Sequence, residues 1–274
     1  MCKSISLLLF GLLLIPGLSH SQKSDSTYKR FRISPLPVVY YSPETRLGFG
    51  GLVAVSFDTQ KVPDATTRTS YSQTYFLYTL NKQHDLGHMT RIYLPENKWV
   101  MQANLNFVYF PEYYFGISTE DPLFKKDTIE YNRTTLYTRV YNQVKKNIYA
   151  GLSFRYQRVR NVVSTPGGSL ETDTPIGYMG YNAIGLAPSF AYENRDSQVY
   201  PRIGWFVEVQ YFLYPKWDNN YYPFTSFRAD VRKYFPTEWI SKRDVIAIQF
   251  LAVATAGDVP FKELADLGGS HRVA

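Results

Sequence analysis

The strongest constraint on this chain is a two-residue rhythm of apolar and polar side chains. From Lys98 to Tyr109, one parity carries Trp99, Met101, Ala103, Leu105, Phe107 and Tyr109. The other carries Lys98, Gln102, Asn104 and Asn106, with only Val100 and Val108 out of pattern. Successive side chains of a β-strand point to opposite faces of its sheet, so this segment reads as a strand with one apolar and one polar face. In 147–158, Ile148, Ala150, Leu152, Phe154 and Tyr156 oppose Ser153, Arg155 and Gln157. In 204–214, Val207, Val209, Tyr211 and Leu213 oppose Glu208 and Gln210, and in 224–235 Phe227, Ala229 and Val231 oppose Arg228, Asp230 and Arg232. No stretch beyond residue 22 carries a convincing 3.6-residue apolar period. Eleven strands are predicted, over 36–42, 47–58, 71–80, 84–94, 97–110, 129–143, 147–160, 183–193, 204–214, 222–235 and 244–256.

Strand length and face chemistry decide what kind of all-β protein this is. Strands of soluble sandwiches run about 5–6 residues, whereas a tilted strand needs about 9–11 to cross a bilayer. Many of the predicted strands reach or exceed that length. Their polar faces mix Arg, Asp, Glu, Gln and Asn, and their apolar faces are dense in Val, Leu, Phe and Tyr with aromatics towards the ends. That is the pattern of a transmembrane antiparallel β-barrel, apolar towards lipid and polar towards its lumen. An aromatic content of 17% suits it, since Tyr and Trp favour the membrane–water interface. With the N-terminus on the periplasmic side, the tight turns at 95–97 and 145–147 fall on the inner side. The long loops at 111–128 and 161–182, the latter with Pro166-Gly167-Gly168, fall on the outer side, the asymmetry expected of such barrels. The inner connection 59–70 is longer than that rule expects.

The first residues read as an address. Lys3 precedes an apolar run from Leu7 to Leu18, interrupted by Pro16, and Ser19-His20-Ser21 forms a small-x-small cleavage pattern. This is the form of a secretory signal peptide over 1–21, and the run is shorter than the roughly 20 residues of a spanning helix. A linker over 22–34 and a single barrel domain over 35–274 follow, with the bacterial outer membrane as the expected location. Cys2 is the single cysteine, which excludes a disulfide scaffold and cysteine-rich zinc sites.

Several short motifs interrupt the strand pattern. Tyr41-Ser42-Pro43-Glu44-Thr45-Arg46-Leu47-Gly48-Phe49-Gly50-Gly51 opens the second strand, its glycines suited to a kink or close backbone approach. Phe110-Pro111-Glu112-Tyr113-Tyr114-Phe115-Gly116 begins a long loop. Arg195-Asp196 is followed by Pro201 and Gly204, and Leu267-Gly268-Gly269 stands near the end. In this order the motifs resemble the BamA/TamA family of outer-membrane assembly proteins, also called the bacterial surface antigen family, over about residues 35–274. The resemblance implies a sixteen-stranded barrel and a sixth outer loop, opened by Leu-Gly-Gly after strand eleven, that folds back into the lumen. It also implies help with inserting proteins or lipids into the outer membrane, with no enzymatic chemistry. Outer-membrane lipids, client outer-membrane proteins and periplasmic chaperones would be the partners. Two departures stand out. The segment 22–34 is too short for a periplasmic POTRA domain, and neither the Arg-Gly-aromatic tip of the sixth loop nor a terminal aromatic strand follows Ala274. Eleven strands cannot close as a bacterial barrel, which has an even number, so either the count is off by one or the chain is a fragment; the resemblance implies the latter, a short, C-terminally truncated form that ends in the sixth outer loop.

Candidate sites follow from these motifs. Pro43, Glu44, Thr45, Gly48, Gly50, Arg195, Asp196, Pro201, Gly204, Leu267, Gly268 and Gly269 are expected to be structural. A local ion pair in a solvated turn is the plainer reading of Arg195-Asp196. Arg155, Glu208, Arg228, Asp230 and Arg232 are expected to face the lumen, to anchor an inserted loop or simply to line a water-filled space. Chemistry has little support. His84 and His88 lie about 13 Å apart along a strand, too far to share one zinc at ligand distances near 2 Å. Ser270-His271 are adjacent, whereas nucleophile and base are usually brought together by the fold. No catalytic residue, metal site or cofactor is assigned. The formal charge of +7 includes no basic cluster of the kind that binds nucleic acid. A passive pore or structural surface antigen is the alternative function.

Overall fold

The structure, a computed structural model, describes residues 30–42, 46–61, 66–109, 111–114, 116, 127–198, 200–217, 222–237 and 244–264. The described residues contain twelve strands: β1 (Phe31–Ser42), β2 (Arg46–Phe57), β3 (Ser70–Thr79), β4 (His84–Tyr93), β5 (Trp99–Tyr109), β6 (Glu112–Tyr114), β7 (Asp127–Lys145), β8 (Ile148–Ser164), β9 (Tyr181–Glu193), β10 (Gly204–Tyr214), β11 (Phe224–Pro236) and β12 (Val245–Gly257). They form one antiparallel sheet in chain order, with β6 a side branch on β7 and with β1 and β12 at the ends of the order. The eleven long strands match the eleven expected.

The differences have local causes. β1 begins at Phe31, inside the segment expected as a linker, because Phe31 and Ile33 already alternate with Arg32 and Ser34. Pro35 and Pro37 do not break it, since an edge strand needs hydrogen bonds on one side only. The loop over 111–128 contributes β6, three residues paired with 127–129 of β7. The loop over 161–182 is shorter than expected, because β8 runs on to Ser164 and a helix α1 (Ser169–Asp173) follows. Five residues are too few to show a helical period. Connection 59–70 is tied down: the Asn97 side chain accepts from Arg68 N–H (2.9 Å) and donates to the Thr66 carbonyl (2.6 Å).

The sheet is a curved barrel wall, turned inside out relative to a soluble protein. On β8, Leu152 is 65% exposed and its neighbour Ser153 fully buried. The outward parity includes Phe76, Met101, Phe107, Leu186, Phe190, Tyr211 and Phe250, all exposed. Inward side chains meet across the lumen. Tyr137 and Arg139 of β7 hydrogen-bond to Gln210 and Glu208 of β10 at 2.7–2.9 Å, although β8 and β9 lie between. On a flat sheet, strands three apart are separated by about 14 Å, and side chains standing perpendicular to it would not converge.

Aromatic rings and glycines fit together on the lumen face. The Tyr40 ring occupies the space a Cβ of Gly48 would need, and a Cβ on Gly50 would overlap the Phe76 carbonyl of β3. Gly48 and Gly50 of the second-strand motif are therefore sites of close approach, whereas Gly51 has its nearest neighbour 3.8 Å away. Tyr75 and Tyr214 lie likewise over Gly87 and Gly185, the arrangement in which a ring covers backbone left bare by glycine.

Candidate functional site in the lumen

β1 starts at one end of the barrel, the base, and loop 165–180, the end of β10 and the start of β11 lie at the other, the rim. The packed side chains on the lumen side fall into three tiers.

The middle tier is polar. Arg139 Nη1 donates to both carboxylate oxygens of Glu208 (2.7 and 2.9 Å), and the Tyr141 hydroxyl donates to Oε1 (2.8 Å). The pair is nearly dry, with side-chain exposures of 14% and 9%. Beside it, Tyr137 donates to Gln210, Gln210 to Ser153, and Ser153 meets Ser189 at 2.7 Å. Asp230 is held by Arg232 (2.7 Å) and Gln249 (3.0 Å).

The rim tier is apolar, which a uniformly polar lumen did not anticipate. Tyr114, Ile129, Tyr131, Val159, Leu170, Tyr181, Phe212, Tyr214, Phe224 and Phe261 form one buried cluster. Tyr214 and Phe224 stack with centroids 4.0 Å apart. A strap after β12 closes over it. Its Phe261 N–H donates to the Ile176 carbonyl (2.9 Å), Lys262 pairs with Glu112 of β6, and Glu263, almost fully buried, accepts from Arg155 (2.5 Å) and Tyr181 (3.2 Å). The chain after the eleventh long strand thus folds inward. Leu267, Gly268 and Gly269, the motif expected to open that fold-back, lie outside the described residues, as do Pro43, Glu44, Thr45 and residues 1–29.

The base tier is built by the β9–β10 turn. Arg195 and Asp196 do not pair with each other. Arg195 turns inward, making a two-pronged bond to Glu193 (2.8 and 2.5 Å) and lying over Phe206 and Tyr234. Asp196 stays at the surface and accepts backbone N–H groups from Ser197, Arg202 and Ile203 at 2.9–3.3 Å. Its slight burial acts to raise its pKa, but these donors outweigh that and hold the carboxyl below its usual range. Pro201 is half-buried in this turn. Gly204 closes it at φ +119°, where a Cβ would sit 2.6 Å from the Asn194 carbonyl oxygen. Gln198 reaches across to Arg91 and Tyr93 of β4.

Arg155, Glu208, Arg228, Asp230 and Arg232 all stand on lumen-facing parities of β8, β10 and β11. Four make the contacts above, and Arg228 stays exposed. The sequence reading missed their partners. Arg139 and Tyr141 share the inward parity of β7, a strand whose alternation supplied the signal. Glu263 and Gln198 carried none, because their roles come from irregular segments folding inward. His84 and His88 face outward, His84 stacked on Tyr109 and His88 bonded to Thr74. No group of three or more His, Cys, Asp or Glu able to hold a metal occurs among the described residues.

No family profile matches this sequence, and no curated protein matches it. Among solved structures, the crystal structure of BamA from Haemophilus ducreyi lacking POTRA domains 1–3 is similar. It is 15% identical with a TM-score of 0.49, over 89% of this chain and 45% of that one. This chain therefore spans less than half the length of that structure. The fold described above rests on this chain's own strand ladder.

Proposed function

We propose that this chain is an outer-membrane β-barrel that promotes insertion of proteins or lipids into the bilayer, in the manner implied by its resemblance to the BamA/TamA family and without covalent chemistry. The observation that carries the membrane reading is the exposed apolar outward face set against a buried, charged lumen. Water would penalise that exterior, and lipid would favour it.

Two features favour an insertase over a passive pore. The lumen face from β7 to β10 is cross-linked by side chains in its middle tier and packed with aromatics at its rim, which narrows that side of the lumen. The edge strand is also deficient. β1 pairs with β2 without a break from Phe31↔Phe57 to Ser42↔Arg46, straight through Pro35 and Pro37. Proline has no N–H to give, so both occupy positions whose backbone points away from β2. The free edge of β1 lacks two donors, and a strand docked there is held less tightly than on a complete ladder. Such an edge opens easily, and each unmade bond in hydrocarbon costs several kcal/mol on the order expected for an unsatisfied backbone group.

The test is reconstitution into phosphatidylcholine vesicles with a urea-denatured client barrel, whose folding is followed by heat-modifiable gel mobility. Faster client folding than in empty vesicles is expected. Steady ion conductance with no acceleration would replace this reading by that of a passive pore or surface antigen.

A further inference from the structure

We propose that Arg158 and Arg160, on the outward face of β8 near the rim, form a binding site for the phosphate of a lipid headgroup. The inference rests on the membrane reading above.

The register fixes where these side chains point. Arg158 pairs with Thr134, which pairs with the exposed Phe107. Arg160 pairs with Asn132, which pairs with Tyr109. Both arginines therefore continue the outward row Ile148, Ala150, Leu152, Phe154, Tyr156. From Ile148 to Tyr156 that row rises about 20 Å across the barrel wall, taking 3.3 Å per residue and a tilt near 40°. A barrel's apolar band is about 25 Å tall, so the two guanidinium groups lie at its rim-side boundary. Burying them in hydrocarbon is costly, and they reach the headgroup level instead.

Both arginines are exposed, and neither guanidinium takes part in an ion pair or hydrogen bond among the described residues. This sets them apart from Arg139, Arg155, Arg195 and Arg232, each of which has its own carboxylate. Glu130 on β7 accepts the Tyr109 hydroxyl at 2.6 Å and makes no ion pair with them. Alternate residues on one strand face are about 6.6 Å apart, a separation that lets two forks converge on one phosphate. Planar guanidinium groups suit that ligand because they bind phosphate oxygens two at a time. At the base boundary the outward cation is Lys233, lying over Trp205 and Phe235. It is a single charge capped by rings, and no second cation stands two residues from it on β11.

The experiment reconstitutes the protein in nanodiscs of phosphatidylcholine containing 10 mol% phosphatidic acid, about one lipid in ten, and reads lipid selectivity with spin-labelled lipids. Selectivity for phosphatidic acid over phosphatidylcholine should fall about five-fold for each of Arg158→Gln and Arg160→Gln. The double variant should show almost none, while Lys233→Gln stays near wild type. Inorganic phosphate at millimolar concentration should not displace the lipid; displacement would assign the site to a soluble phosphate and overturn the lipid proposal. Equal selectivity in wild type and double variant, with the protein inserted and protected from protease, would overturn it while leaving the membrane reading intact. Failure of the wild type to insert would overturn both.

Discussion

Removing Arg139 should be among the most damaging single changes in the lumen. Glu208 is 9% exposed at its side chain and holds both oxygens on one Arg139 nitrogen. In Arg139→Met the carboxylate would remain buried with only the Tyr141 hydroxyl as donor. Stripping one partner from a buried pair costs about 3–5 kcal/mol, chiefly because the remaining charge loses its compensation. The same reasoning makes a converse prediction. Replacing Arg139, Glu208 and Tyr141 together by Met, Leu and Phe removes the charges and the orphaned hydroxyl, and a well-packed apolar substitute is often neutral or stabilising. Urea titration of the reconstituted protein, followed by tryptophan fluorescence and heat-modifiable mobility, measures both. The reasoning is refuted if Arg139→Met costs under about 1 kcal/mol, the range of a solvated surface pair. It is equally refuted if the triple variant loses as much stability as the single one.

Gly50→Ala should abolish folding, because its Cβ would overlap the Phe76 carbonyl, while Gly51→Ala, with its nearest neighbour 3.8 Å away, should be tolerated; the folded fraction on cold gels distinguishes them. Asp196 has a depressed pKa in the folded turn, so its contribution is complete above the unfolded value near 3.9 and is lost as pH falls through the lower folded value. Amide exchange at Arg202 and Ile203, corrected for intrinsic rate, should accelerate in that acid window, and Asp196→Asn should remove the pH dependence. Restoring the missing donors with Pro35→Thr and Pro37→Thr should tighten the edge of β1 and slow client folding in the vesicle assay, and an unchanged rate would remove the edge from the mechanism.

The wall of this barrel was largely legible in the sequence, and its contents were not. Alternation located eleven long strands because each residue's face is a local property with period two. It also placed Arg155, Glu208 and Asp230 on the lumen side. Which arginine meets which carboxylate was hidden, since Arg139 and Glu208 are 69 residues apart and meet only through the curvature of the sheet. The rim cluster was hidden for a related reason. Tyr181, Phe212 and Tyr214 look apolar or amphipathic on either face, and only the strap carrying Phe261 and Glu263 gives the inward ones a partner. In the Arg195-Asp196 motif adjacency was misleading, because the turn sends Arg195 inward to Glu193 while Asp196 accepts backbone N–H groups at the surface.

The long-range pairing inside the lumen also bears on how this chain reaches a membrane itself. The β7–β8 hairpin carries Arg139 and Arg155 on one face, yet their carboxylates, Glu208 and Glu263, are made 69 and 108 residues away. A hairpin entering hydrocarbon alone would take both of these guanidinium groups with it unpaired. The penalty disappears only when β7 through β12 have curled together and the strap has docked. On the proposed membrane reading, insertion should therefore be cooperative: the lumen charges penalise a strand-by-strand route and favour the wall crossing as a nearly finished unit.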